Sequence, residues 1–152
     1  MLSPKVSLRL GGLTGINEEN GNIENSYNSG NITCSADIEF NEAFIAGFSG
    51  NNTASINNVY STGKIFISGV IAKATYIGGT IGRSKGNANN LYCLSNSYDT
   101  SIDANKFNNE STLTETDLNS STFVDKLNET APNIWKVDKT NINSGYPILF
   151  WQ

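Results

Sequence analysis

Three stretches of this chain repeat one another with variations. "SYNSGNI" at 26–32 returns as "VYSTGKI" at 59–65 and as "LYCLSNS" at 91–97. A second block behaves the same way: "LGGLTGIN" (10–17), "IAGFSGNN" (45–52) and "IGGTIGRS" (77–84). The last glycines of these blocks, Gly15, Gly50 and Gly82, are 35 and then 32 positions apart, and Tyr27, Tyr60 and Tyr92 are 33 and then 32 apart. Two landmarks that drift together define a repeat of about 33 residues. Helical repeats share this period, but the units are rich in Gly, Asn, Ile and Tyr and lack apolar spacing at 3.6. The unit is therefore built of short strands and turns.

Strand-and-turn units that cannot bury an apolar face alone must stack on copies of themselves. The spacing predicts a parallel β-solenoid of about three coils, near residues 6–38, 42–72 and 74–100 within a repeat region 1–100. Ile32 and Cys34 align with Ile65 and Ile67, and a spacing of two puts each pair on one strand face. Leu10, Ile32, Ile45, Val59, Ile65, Ile77 and Leu91 are expected to point inward. Leu10 and Leu13 are three apart, so a bend is expected at Gly11 and Gly12. Gly30 and Gly63 are expected to supply a left-handed turn, which Ser95 degrades in the third unit. Asn25, Asn58 and Asn90 align as well, and their amides can bond to one another along a corner. Turn signals every 8–12 residues also suit a small antiparallel sandwich; the two aligned landmarks favour the solenoid.

Composition narrows function. A net charge of −4 and a pI near 4.7 argue against nucleic acid, since no basic patch stands ready to neutralise phosphates. No apolar run approaches the roughly 20 residues of a membrane-spanning helix, so no membrane insertion is expected. The chain has no His, which removes imidazole acid–base chemistry and His-containing triads and zinc sites. Cys34 and Cys93 fall two coils apart and are expected to be free, mostly buried thiols. No cofactor or metal is expected.

Residues 101–152 read as a small α/β capping segment on the last coil, because an open solenoid end invites aggregation. Ser121 or Thr122 is expected to cap a short helix carrying Phe123 and Leu127, with an earlier turn from Thr114. "IWKVD" and "YPILFW" read as strands that bring Trp135, Tyr146, Leu149 and Trp151 against the coil. "MLSPKVSLRL" enters the first coil with no such cover, so either neighbouring repeats of a longer chain are expected before it or a neighbour is expected to cover the first coil's edge.

Chemistry-bearing candidates are few. Tyr27, Tyr60 and Tyr92 form the best candidate binding surface if they face outward, where rings stack on sugars or a host protein. The competing reading has them stabilise the stack from coil to coil. "NEENGN" (17–22) and "DKTNINSG" (138–145) carry oxygen ligands but follow no calcium-loop spacing, and read as solvated turns. Glu18, Glu19, Glu24, Asp37 and Glu39 are the carboxylates a glycoside hydrolase would draw on, yet none recurs in the repeat. No G-K-[ST] follows the glycine pairs, so no phosphate loop is expected. No catalytic residue is expected.

"GGLTG" followed by "NIENSYNSGNIT" resembles the GLUG motif repeat of bacterial surface and secreted proteins. The pattern is G-G-L-x-G, a polar stretch, then I-x-N-x-Y-x-x-G-x-[IV]. "AGFSG" with "INNVYSTGKI" follows it less closely, and the third unit keeps "GGTIG" but loses the closing glycine. "FVDKLNE…WKVDKTNINSGYPILFWQ" is similar to the tail that closes such arrays. The resemblance implies an extracellular or cell-surface module without an active site, acting as an adhesin-like surface for a host glycan or protein or as a rigid spacer. It also implies an alternative, an accessory β-helical region of a secreted peptidase or polysaccharide-active enzyme.

Overall fold

The computed structural model describes residues 6–152. Its first coil holds β1 (Ser7–Gly11), β2 (Thr14–Asn17), β3 (Asn22–Asn28) and β4 (Ile32–Ser35). The second holds β5 (Glu39–Ala46), β6 (Ser49–Asn52), β7 (Ser55–Ser61) and β8 (Ile65–Ser68). The third holds β9 (Ile71–Gly78), β10 (Ile81–Ser84) and β11 (Asn87–Leu94). Equivalent strands pair in parallel, giving sheets ordered β1-β5-β9, β2-β6-β10, β3-β7-β11 and β4-β8. Tyr27 faces Tyr60 and Tyr60 faces Tyr92 in that register, as Leu10 faces Ile45 and Ile45 faces Ile77. The molecule is a parallel β-solenoid of about three turns with a C-terminal segment of short helices and strands. The second and third coils begin about three residues earlier than the repeat predicts, at Glu39 and Ile71.

Alternation along each strand fills the interior. Phe48, Ile56, Val59, Ile81 and Leu91 make one buried cluster, and Ile32, Cys34, Ala43, Ile45 and Ile65 another. Leu10 packs partly buried against the second cluster. Cys34 and Cys93 are buried and unlinked. Burial pushes both thiols up, Cys93 to about 12 with the Glu110 carboxylate adding to the effect, so neither is a ready nucleophile.

The bend predicted at Gly11–Gly12 is the corner between β1 and β2, and the glycine ending the motif has a separate cause. A Cβ on Gly15 would sit 2.8 Å from the Arg9 carbonyl oxygen, on Gly50 2.8 Å from the Leu10 nitrogen, and on Gly82 2.6 Å from the Gly50 carbonyl oxygen. These contacts are to backbone, which cannot step aside, so the second sheet lies against the first only without side chains there. Gly30 and Gly63 do not have positive φ, contrary to expectation. Gly63 is instead held by close approach, because a Cβ would strike the Gly30 carbonyl oxygen of the coil beside it. The aligned asparagines, Asn25, Asn58 and Asn90, are left-handed instead, with φ of 48°, 55° and 50°. Asn tolerates that conformation better than other non-glycine residues, which explains its recurrence.

Beyond the third coil, β12 (Asn105–Lys106) adds to the first sheet and β13 (Ser111–Leu113) to the third, both in parallel. The stack thus continues past residue 100 as a partial fourth coil. α1 (Glu115–Leu118) follows, capped by Thr114 in a reciprocal capping box with Asp117. α2 (Ser121–Thr130) is capped by Ser120, one residue before the predicted Ser121 or Thr122, and buries Phe123, Val124 and Leu127. β14 (Trp135–Lys136) and β15 (Ile148–Leu149) close the chain as an antiparallel pair. Among the described residues, no helix is long and apolar enough to cross a membrane.

Candidate functional site

Tyr27, Tyr60 and Tyr92 do form one column, and the C-terminal segment occupies it. The tyrosines alternate with the inward Val59 and Leu91, so their rings point away from the solenoid interior. There Phe123, Leu127, Trp135 and Tyr146 cover them. Tyr60 is fully buried, Tyr92 is 4% exposed and Tyr27 is half-buried. Tyr27 stacks on Tyr60 with centroids 5.3 Å apart, while Phe123 meets Tyr60 and Tyr92 edge-on at 5.7 and 5.1 Å. Such aromatic pairs contribute about 0.5–1.5 kcal/mol each beyond burial. The column faces away from the solenoid interior, but the rings of Tyr60 and Tyr92 offer no free face to a sugar.

Polar groups lock this contact. The Tyr60 hydroxyl donates to the Pro147 carbonyl oxygen and accepts from Asn143 Nδ2 at 2.8 Å. Burial pushes the Tyr60 phenol upward, as does the neighbouring Tyr27, so it stays protonated as that donor. Asn143 is positioned by Asp138. The Asp138 carboxylate accepts from the backbone N–H groups of Thr140, Ile142, Asn143 and Gly145 at 2.7–3.2 Å. Desolvation raises its pKa, the four backbone hydrogen bonds together lower it by more, and the net direction is down. The 138–145 loop is therefore organised around its own carboxylate, whose acceptor sites are already used.

Glu110 ends the stack. In the lower coils the corner amides of Leu13 and Thr14 donate to the Phe48 carbonyl, and those of Phe48 and Ser49 donate to the Thr80 carbonyl. At the third coil Gly79 and Thr80 N–H, which align with Gly47 and Phe48, meet Glu110 Oε1 and Oε2 at 2.8 and 2.7 Å. The Thr80 hydroxyl also donates to Oε2. A carboxylate has taken the place of the next coil's carbonyl. Asn109 and Asn105 do the same for the Ala88 and Thr75 carbonyls.

The asparagine corner is only partly a ladder. Asn58 Nδ2 donates to Asn25 Oδ1 at 2.6 Å, but Asn90 Nδ2 donates to Asn57 instead of Asn58. A second ladder was missed by the sequence reading: Asn17 Nδ2 to Asn52 Oδ1 at 2.9 Å, then Asn52 Nδ2 to Ser84 Oγ at 3.0 Å. Its signal was available, as the last residues of the "GIN", "GNN" and "GRS" blocks. The candidate carboxylates Glu18, Glu19, Glu24, Asp37 and Glu39 are all exposed on the first coil and its exit. Among the described residues, no three or more of His, Cys, Asp and Glu cluster to hold a metal.

Comparison with known proteins agrees with the first coil. No curated protein and no solved structure matches the chain. The family model of the GLUG motif matches residues 7–33. Those residues contain the bend at Gly11–Gly12, Gly15 against the β1 backbone, the left-handed Asn25 and the base of the tyrosine column. The chain carries the GLUG motif in a parallel β-solenoid.

Proposed function

We propose that the chain is a non-catalytic extracellular module of a bacterial surface protein, a rigid solenoid that presents its outer face to a host glycan or protein. The observation that carries this reading is the division of labour at the surface. The tyrosine column is consumed by the chain's own C-terminal segment, while at the corner between the second and third sheets Asn20, Asn22, Ser55, Lys85 and Asn87 make no side-chain hydrogen bond among the described residues. The resemblance to surface and secreted GLUG proteins supports the location. An antibody raised against the folded chain tests it on cells of the source organism. Staining of intact, unpermeabilised cells is the expected result; staining only after permeabilisation overturns the reading.

A further inference from the structure

The two corners that flank the third sheet differ in how they use their polar groups. Between the third and fourth sheets those groups bond to each other. Asn28 Nδ2 donates to the Gly30 carbonyl, Lys64 N–H donates to Asn31 Oδ1, and Lys64 Nζ donates to the Asn96 carbonyl. Between the second and third sheets the inward groups do so as well: Asn17 and Asn52 bond along the stack and to the Ser55 and Asn87 carbonyls, and Thr53 Oγ1 donates to the Asn17 carbonyl at 3.4 Å. The outer rim does not. Among the described residues, the side chains of Asn20, Asn22, Ser55, Lys85 and Asn87 make no hydrogen bond or ion pair within the molecule.

Packing explains why these groups surround a depression. Gly21, Ala54 and Gly86 occupy equivalent places in successive coils and form a floor almost without side chains. Larger residues are excluded at the two glycines, because a Cβ on Gly21 would strike Asn17 Oδ1 and one on Gly86 would strike the Ala54 carbonyl. Asn20, Thr53 and Lys85 stand on one rim, and Asn22, Ser55 and Asn87 on the other. The result is an open trough of about 460 Å³ running along the stack. Its rims repeat at the sheet spacing of about 4.8 Å, so three coils span roughly 10 Å, the length of a disaccharide.

We infer that this trough binds a linear oligosaccharide, with an acidic sugar toward Lys85 and a neutral N-acetylated sugar toward Asn20. Amide and hydroxyl rims suit hydroxyl and acetamido groups, which both donate and accept. The Lys85 ammonium gives one end a cation for a carboxylate, and Glu19 excludes a second acid from the other end. No aromatic ring lines the trough, so affinity is low for a single chain and grows only through several modules acting together. The inference rests on the binding reading above, and its failure leaves the surface location untouched.

The test uses the full chain, isotope-labelled, titrated with a tetrasaccharide alternating glucuronic acid and N-acetylglucosamine. The neutral N-acetylglucosamine tetramer serves as the comparison. Expected are amide shifts confined to residues 19–22, 53–55 and 85–87, stronger for the acidic probe. Lys85→Gln should weaken that probe at least fivefold while leaving the neutral one unchanged, and Asn87→Ala should weaken both. These positions are exposed, and an unchanged spectrum elsewhere certifies the fold. No shift with either probe, shifts mapping to another face, or equal affinity in all variants overturns the proposal.

Discussion

The coils and the closing segment solve one problem by opposite means. In the coils, strand backbone donors find acceptors on the equivalent strand of the next turn, so one local rule recurs from coil to coil. In the closing segment no copy exists, and individual side chains substitute for it. Glu110 receives the last corner amides, Asp138 gathers four loop N–H groups, and Asn128 bonds both the N–H and the carbonyl of Trp135. Repetition thus builds the stack, and one-off chemistry stops it. A buried strand edge left without either would forfeit about 1–3 kcal/mol for each unmet group.

The comparison breaks most completely if the closing segment is removed. Deleting 101–152 uncovers Tyr60 and Tyr92 and discards the buried Leu118, Phe123, Leu127, Trp135, Tyr146 and Ile148. Fully burying one such side chain contributes about 1.5–3 kcal/mol, so a few of them equal the net stability of a domain, about 5–15 kcal/mol. The expected result is loss of the cooperative thermal transition, with aggregation on size-exclusion chromatography. A soluble monomer that melts cooperatively would show that the coils are self-sufficient.

Within the coils, Gly82→Ala is the sharpest single test. Replacing glycine restricts the unfolded chain, which alone would stabilise by about 0.4–1 kcal/mol. Here the new methyl meets the Gly50 carbonyl oxygen at 2.6 Å and the Ile45 nitrogen at 3.0 Å, both backbone. Overpacking of that kind costs about 3 kcal/mol and outweighs the gain. Chemical denaturation should show a lower midpoint with little change in slope; a midpoint equal to or above the parent's would mean that the two sheets can separate.

At the boundary, Glu110→Gln tests the substitution of a carboxylate for a missing coil. The variant keeps one oxygen acceptor but turns an N–H₂ group toward donors, so at least one of the three bonds is lost. The expected loss is about 2 kcal/mol, with faster hydrogen exchange at Thr80 than at Phe48, its equivalent one coil down. Equal protection of both corners would remove Glu110 from the role.

What could be read from the sequence follows the same division. Register carried the coils, because a residue that matters at one level must recur at the next. Leu10, Ile45 and Ile77 could be placed inward, and Tyr27, Tyr60 and Tyr92 in one column, without knowing any contact. Where two causes favour the same residue, the reading picked the wrong one. Gly63 looked like a left-handed turn, yet it is a point of close approach, and Asn25 and its equivalents hold the left-handed positions. Glu110 was invisible because its partners lie about thirty positions away and it occurs once. The trough was invisible for a related reason: Asn20, Thr53 and Lys85 share a place but no chemistry, so alignment of residue types passes over them.

The smallest effect is expected from the residue that composition would rank highest. Trp151 was expected against the coil, as large apolar residues usually are, but it is 62% exposed and contacts Phe150 edge-on at 4.9 Å. Trp135, sixteen positions earlier, is 3% exposed and packs against Tyr27 and Tyr60. The fold decides between them through pairing. β14 aligns with β15 so that Trp135 lies opposite Leu149 on the covered side, and the chain leaves the pair before Trp151 is reached. Trp151→Ser should therefore shift stability by no more than about 0.5 kcal/mol, whereas Trp135→Ala should cost about 3–5 kcal/mol. Thermal melts of the two variants side by side check this. A large loss from Trp151→Ser would place its ring inside the contact that holds the closing segment to the coils.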